Sequence, residues 1–312
     1  MTHLDGMNAP PEEPTLVYDR IGTNKRQTWL MMLVFVVVAG GFATIIGLVV
    51  GLPIAAAPFI IAALVVYALF SYYASASVAL AVSSAHPVTK EEEPDLYRVV
   101  ENLSIGSGLP MPKVYVIEDS VPNAFATGRD PQHASVTATR GLLNKLDKSE
   151  LEGVIAHEMS HVGNYDIRVM TITVVLVGII ALLADLFMRW TWFGSGARSS
   201  NRDRGGGLAI LAIIAIVLAI LAPIAAQLIQ LAISRQREYL ADASGALLCR
   251  NPDALARALE KISADPDPLE EANKATAHLY FSNPLRDHDS FLNNLFSTHP
   301  PVEDRIRLLR AM

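Results

Sequence analysis

The sequence predicts an α-helical integral membrane protein with about four transmembrane helices and an α+β domain that contains a small sheet. The chain has 312 residues, of which 51% are hydrophobic and only 18% are charged. No Asp, Glu, Lys or Arg occurs between Arg26 and Lys90. A helix needs about 20 apolar residues to cross a bilayer, so this stretch is long enough for two crossings. The alternative is that these segments are buried core helices of a soluble protein. This is disfavoured, because four such apolar runs exceed what the core of a protein of this size needs.

Hydrophobicity divides the chain into five segments. The first two transmembrane helices are predicted near Trp29–Val50 and Ile54–Ala76, separated by a Gly- and Pro-containing bend. The third ends near Phe187, and the fourth lies between Gly207 and Ile233. In order, the segments are a polar tail (1–27), two transmembrane helices (28–82), the first part of a polar domain (91–168), two transmembrane helices (169–233) and the second part of that domain (234–312).

Charge and cysteine content exclude several functions and set the expected orientation. The formal net charge is -6, so no overall basic field favours nucleic acid as a partner. Cys249 is the single cysteine, which excludes an internal disulfide and a cysteine-based metal site. Lys and Arg beside the predicted spans place both termini and the polar domain in the cytosol. Under this topology the Arg-rich loop at 189–206 would lie on the external side of the membrane. This disagrees with the usual enrichment of Lys and Arg in cytosolic loops.

The first part of the polar domain contains helix and strand patterns. Apolar residues share one helical face in the stretch that begins at Glu93, and two glycines, Gly106 and Gly108, would end this helix. Lys113–Asp119 alternates and is β-branched, as in a strand. Two further strands, Asn123–Gly128 and Ala134–Arg140, are predicted to form a hairpin. The predicted helical face consists of Leu96, Val99, Val100 and Leu103.

The next predicted helix carries the chemically informative motif. Ser149 and Glu152 are predicted to cap this helix in an S-x-x-E box. His157, Glu158 and His161 then form the pattern His-Glu-x-x-His. Two histidines four residues apart lie on one helical face, so both imidazoles can bind one zinc ion, and Glu158 can take a proton from its bound water. The alternative is a solvated helix with two ordinary histidines.

A catalytic zinc site usually has three protein ligands, so the third must come from elsewhere. Asp166 is near in sequence, but on a continuous helix it points to another face. Glu238 is the better candidate, with Asp242 one turn later to hold the far nitrogen of a ligand histidine. The alternative is that Glu238 and Asp242 are ordinary surface residues that form weak charge pairs with Arg235 along a helix. Two predicted crossings separate His161 from Glu238, so both lie on the same side of the bilayer.

The ordered set of motifs resembles the HtpX family of bacterial membrane-embedded zinc metalloproteases, within the wider group that includes the CAAX-processing Ste24 proteases. The resemblance covers most of the chain and implies a zincin-like fold for the polar domain, with one zinc ion per chain. It implies that His157, His161 and Glu238 bind zinc and that Glu158 is the general base. It rests on two spans, "NAFATG", "HEMSHVGNYD", two more spans, "SRQREYLAD" and "STHPPVEDRI", in that order.

Three further features are predicted to act near the metal. The strand in the "NAFATG" motif is interpreted as an edge strand to which an extended substrate can add, or as an ordinary sheet strand. His299 and Arg305 are each predicted either to bind the oxyanion or to act structurally. In the structural role, His299 would pack the C-terminal tail onto the domain and Arg305 would pair with a carboxylate near the site. The candidate edge strand consists of Asn123, Ala124, Phe125, Ala126, Thr127 and Gly128.

The resemblance implies a role in membrane-protein quality control under stress. The expected partners are damaged or misfolded membrane proteins and the lipid bilayer, and the expected location is the inner membrane with the catalytic domain in the cytosol. Two alternatives stay open. A CAAX prenyl-protein protease like Ste24 is disfavoured because four spans are too few for the larger chamber that the resemblance implies. A non-catalytic membrane scaffold gains no support, since Glu158 is present.

Overall fold

The computed structural model describes residues 17–50, 52–178, 235–265, 279–282 and 300–312. The described part of the chain consists of two long helices, a small mixed sheet and helices that pack on the sheet. The predicted combination of apolar helices with an α+β domain is confirmed. The predicted fourth span and the second half of the third lie outside the described residues, so the count of four spans stays a prediction.

Two long helices contain the first two predicted spans. Helix α1 is Val17–Val50 and helix α2 is Ala57–Val82, with a short 3-10 turn at Ile54–Ala56 between them. The predicted bend is therefore present, although α1 begins well before the predicted start. The two helices pack on each other, and the rings of Phe35 and Tyr67 lie 6.4 Å apart.

The outward faces of α1 and α2 expose large apolar side chains, as expected of helices in contact with lipid. Leu33 is 60% exposed, Phe59 is 77% exposed and Val66 is 66% exposed. Within the described residues one helical stretch, Ile54–Val82, is long and apolar enough to cross a bilayer.

A four-stranded sheet forms one layer of the α+β domain. The strands are β1 (His86–Pro87), β2 (Lys113–Ile117), β3 (Ala124–Gly128) and β4 (Ala134–Thr139). They lie in the order β1-β2-β4-β3, in which β2 and β4 are parallel and the other neighbours are antiparallel. The predicted hairpin, formed by β3 and β4, is confirmed, and β3 lies at the edge of the sheet.

Helices form the other layer. The apolar face predicted for the helix after Glu93 is buried, and Gly108 ends that helix with φ at 69°. Only glycine adopts such a φ without a steric cost. The helices are α3 (Pro94–Ser107), α4 (Arg140–Lys145), α5 (Lys148–Gly163), α6 (166–178), α7 (Arg235–Cys249), α8 (Pro252–Ser263) and α9 (Val302–Arg310).

Helix α5 is the central element, packed against α3, α7, α8 and the sheet. Glycine allows α7 to approach it closely, because a Cβ on Gly245 would lie 2.9 Å from the backbone nitrogen of His157. The predicted cap of α5 is wrong by two residues. Asp147, not Ser149, is the N-cap, and it forms a capping box with Glu150.

Candidate metal centre

Helices α5 and α7 bring together the three predicted ligands. His157 and His161 lie one turn apart on α5, Glu238 lies in the first turn of α7, and all three side chains are buried. The two Nε2 atoms are 3.2 Å apart. Glu238 Oε1 is 3.6 Å from Nε2 of His161, and Oε2 is 3.8 Å from Nε2 of His157. The ligand atoms therefore converge on one point from two distant parts of the chain.

This geometry fits a single zinc ion. Ligands at about 2.0–2.2 Å in a tetrahedron lie about 3.3–3.6 Å from one another. The three separations found here, between 3.2 and 3.8 Å, are close to that range. Two imidazole nitrogens and one carboxylate oxygen are ligands that zinc accepts, and three ligands leave its fourth position open.

Asp242 contacts the Nδ1 side of the His157 ring, and Arg305 in turn holds Asp242. Asp242 Oδ1 lies 2.9 Å from Nδ1 of His157, in a contact that is close but not aligned as an ideal hydrogen bond. Arg305 donates from Nε and Nη2 to the two oxygens of Asp242, each at 2.7 Å. Burial opposes ionisation of Asp242, but the guanidinium outweighs it and holds the pKa of Asp242 below its usual range. Asp242 is therefore a buried anion between the histidine and the arginine.

Asp166 supports His161 in the corresponding way, with Oδ2 3.0 Å from Nδ1 of His161. The expectation that Asp166 points to another face is wrong. Helix α5 ends at Gly163, Tyr165 adopts a φ of 61°, and helix α6 starts at the next residue. This left-handed residue turns the chain back, so that Asp166 faces the ring. A positive φ is uncommon in a residue other than glycine, so the local sequence gave no signal for the turn.

The two histidines have opposite protonation preferences in the metal-free protein. Burial lowers the pKa of His157 to about 4, although Asp242 opposes the shift. Burial acts on His161 in the same direction, but Asp166 and Glu238 outweigh it and raise the pKa of His161 to about 9. A metal ligand must be a neutral imidazole, so binding of a metal at neutral pH displaces a proton from His161.

Glu158 lies beside the ligand cluster and is 2% exposed. Burial raises the pKa of Glu158 to about 7, although the nearby backbone N–H of Ala126 opposes the shift. A carboxylate with a pKa near the working pH can both accept and return a proton. Its position and its pKa suit the predicted general base.

Comparison with known proteins agrees with this site. The family model described as "Peptidase family M48" matches residues 90–312, which include every residue of the centre. The chain belongs to peptidase family M48. This M48 peptidase is 47% identical to a "Protease HtpX homolog" of Tropheryma whipplei (strain Twist), over 95% of this chain and 99% of that one. It is 45% identical to a protein of the same description in Dictyoglomus thermophilum, over 96% of each chain. Its sequence and fold are therefore those of a membrane metalloprotease.

A solved structure is also similar to this M48 chain. The crystal structure of S. mikatae Ste24p aligns with a TM-score of 0.46 and 21% sequence identity. The alignment covers 80% of this chain and 57% of that one.

A short segment that sequence reasoning left unassigned forms part of the M48 site. The N–H of Phe281 donates to the carbonyl oxygen of Ala124 on β3, at 2.8 Å. The side-chain amide of Asn123 holds the backbone of Ser282 through both its oxygen and its nitrogen. The Phe281 ring lies edge-on to His157, with centroids 4.9 Å apart. Residues 279–282 therefore form a wall beside the first ligand.

The outward backbone of β3 is partly paired. In the pairing of β3 with β4, the backbone N–H and C=O groups of residues 124, 126 and 128 point away from β4, toward the open edge of the sheet. Phe281 bonds to the carbonyl of Ala124, the N–H of Ala126 faces Glu158, and the N–H of Gly128 donates to Thr171 Oγ1 at 3.2 Å. An added substrate strand would meet these groups.

The two remaining predicted residues have different outcomes. His299 lies outside the described residues, so its role stays a prediction. Arg305 is 1% exposed and contacts Asp242, the kind of carboxylate partner that the sequence predicted. Its Nη1 also donates to the carbonyl oxygen of Phe281 at 3.4 Å. These contacts favour a structural role for Arg305 over a role in binding the oxyanion.

Proposed function

We propose that this metalloprotease binds one zinc ion through His157, His161 and Glu238 and cleaves damaged or misfolded membrane proteins at the cytosolic face of the inner membrane. The observation that carries the proposal is the convergence of three buried ligand atoms within 4.8 Å of one another, beside a buried glutamate. The apolar helix at Ile54–Val82 supports a site close to lipid, where membrane-protein substrates are within reach.

Each residue of the centre has a specific task in this mechanism. When bound, zinc supplies a Lewis acid that polarises the scissile carbonyl and lowers the pKa of bound water to about 7. Glu158 accepts the proton of the attacking water and passes it to the leaving amine. Asp242 and Asp166 face the Nδ1 atoms of the two histidines, so each ring presents Nε2 to the metal site.

The substrate is proposed to bind as an extended strand along β3. Pairing through backbone groups depends little on sequence, which suits an enzyme with many misfolded targets. Because Phe281 bonds to the carbonyl of Ala124 and Thr171 accepts from the N–H of Gly128, the substrate strand is proposed to pair with β3 at Ala126, between these two positions. Peptides methylated at single backbone nitrogens test this arrangement. Methylation next to the scissile bond should block cleavage at one or two positions, and equal cleavage of every methylated peptide would contradict strand pairing.

The proposed topology has four transmembrane helices, with both parts of the catalytic domain in the cytosol. An even number of crossings between His161 and Glu238 is required, because both residues belong to one centre. Fusions of a topology reporter after residue 90 and within residues 189–206 show on which side of the membrane each of these positions lies. A cytosolic signal at the first position and an external signal at the second are expected, and external signal at the first position contradicts the proposal.

The activity is tested with protein purified in detergent, with casein and a destabilised membrane protein as substrates. Cleavage should require zinc and stop with a chelator, and elemental analysis should find one zinc ion per chain. Glu158→Gln should reduce cleavage by a factor of at least about 100 while zinc stays bound. The matched control is Glu152→Gln, a partly buried acid on the same helix, which should keep its activity.

Two experimental results would indicate a function other than the proposed one. If zinc-loaded wild-type protein is inert on both substrates and Glu158→Gln changes nothing, the chain acts as a scaffold. If a prenylated CAAX peptide is cleaved and the membrane protein is not, the activity is that of a prenyl-protein protease.

A further inference from the structure

We propose that Asn24, in the N-terminal part of helix α1, is a positioning residue for the metal centre that acts through Asp166 on His161. This inference rests on the proposed function, since it concerns the ligand role of His161. It adds a residue from the first hydrophobic hairpin to a site that otherwise belongs to the α+β domain.

The contacts form a continuous chain from α1 to the ligand. Asn24 is 3% exposed, and its Nδ2 donates to Oδ1 of Asp166 at 2.8 Å. The other oxygen of Asp166 contacts Nδ1 of His161 at 3.0 Å. Each carboxylate oxygen therefore has its own partner, and the bond from Asn24 fixes the plane in which Asp166 meets the imidazole.

Asn24 also holds the turn that places Asp166. The same Nδ2 donates to the carbonyl oxygen of Asn164 at 2.8 Å, so one amide binds both ends of the turn around Tyr165. The ammonium group of Lys25 lies 4.5 Å from the centroid of the Tyr165 ring. A left-handed conformation is strained for tyrosine and persists only where its surroundings hold it. Two adjacent residues of α1 provide such contacts.

The chemistry of Asn24 is specific to this task. A buried amide is costly unless it is hydrogen-bonded, and here both N–H groups are used on the α5–α6 turn. Arg237 approaches the same oxygen of Asp166 only to 3.9 Å, so it does not replace the shorter bond. Thr28, one turn further along α1, is equally buried, but its hydroxyl donates within its own helix to the carbonyl of Asn24. Thr28 therefore serves as a matched control.

The test measures zinc affinity by competition with a chelator at fixed pH, in full-length protein purified in detergent. All variants carry Glu158→Gln to prevent self-cleavage. Loss of a partner that orients a metal ligand typically weakens metal binding by about 10–100-fold. We expect Asn24→Leu and Asn24→Ala to raise the dissociation constant for zinc about tenfold and Thr28→Val to change it less than about twofold. Asp166→Asn should raise it at least as much as the Asn24 variants.

The double variant Asn24→Leu/Asp166→Asn decides whether Asn24 acts through Asp166. It should bind zinc no more weakly than Asp166→Asn alone, because residues in one network have non-additive effects. The Co²⁺-substituted protein gives a second readout, since a shifted visible spectrum in Asn24→Leu reports altered ligand geometry.

The outcomes separate this inference from the function on which it rests. Zinc affinity of Asn24→Leu within twofold of the parent protein, or an additive loss in the double variant, would overturn the positioning role. So would failure of both Asn24 variants to fold while Asp166→Asn folds, because Asn24 would then act on packing alone. If the parent protein and Thr28→Val bind no zinc, the proposed function fails instead.

Discussion

Replacing Arg305 with methionine tests the buried ion pair behind the metal centre. Arg305 is 1% exposed and makes two hydrogen bonds of 2.7 Å to Asp242, which is 3% exposed. Methionine fills similar space but leaves Asp242 as an uncompensated buried charge. Breaking a buried pair in this way costs about 3–5 kcal/mol. A domain of this size loses about 2–4 °C in Tm per kcal/mol, so the expected fall is about 6–20 °C.

The matched control comes from the same helix. Arg307 is bonded to Asp304 at 2.8 Å, but its side chain is 76% exposed. Pairs at the surface contribute about 0–1 kcal/mol, so Arg307→Met should lower Tm by no more than about 4 °C. Tm is measured on metal-free Glu158→Gln protein, from the fraction that stays soluble and monodisperse after heating. A Tm for Arg305→Met within about 2 °C of the Arg307→Met value would refute the reasoning.

Three other predictions follow from the same structure. Gly245→Ala should weaken zinc binding and lower Tm, because the added Cβ meets the backbone of α5 at 2.9 Å, whereas Gly106→Ala, with 3.7 Å to its nearest neighbour, should be tolerated. Because the pKa of His161 is raised to about 9 without metal, calorimetry should find about one proton released per zinc ion at neutral pH, and zinc affinity should fall about tenfold per pH unit below that value. Because the pKa of His161 is higher in the folded than in the unfolded chain, protonation of His161 adds to the free energy of unfolding of the metal-free protein. This contribution is fully present below about pH 6.5 and is lost as the pH rises through about 9. Asp147→Ala should lower stability by about 1 kcal/mol as loss of an N-cap, and Ser149→Ala should cost less. Equal effects of these two substitutions in thermal unfolding would contradict the capping arrangement.

Regular patterns made much of the α+β domain predictable. The residue periodicity in the sequence matches the observed elements in three places. These are the apolar face of α3, the strand β2 and the hairpin of β3 and β4. The clustering of His157 and His161 with Glu238 was also predictable, because the two histidines lie one turn apart on a helix. In the second segment of the chain, Glu238 and Asp242 have the same spacing within a stretch with a helical pattern.

The features that sequence reasoning missed depend on contacts between distant residues. Asp166 faces His161 because Tyr165 adopts a left-handed conformation, and that conformation is held by residues of α1 far away in sequence. Helix α1 extends into the polar N-terminal region, where Asn24 bonds to the α5–α6 turn. Residues 279–282 have no strand pattern, and their place beside His157 follows from the backbone of β3 and the amide of Asn123.

The order in which the parts of the centre occur along the chain has a consequence for biosynthesis. The ribosome makes His157 and Glu158 early, but Glu238 follows only after a second hydrophobic stretch, and the counterion of Asp242 is residue 305. A nascent chain with the His-Glu-x-x-His helix already in place therefore has an incomplete set of ligands. With the proposed ligands, the centre is complete only after Glu238 has been made, and Asp242 gains its counterion only when residue 305 follows.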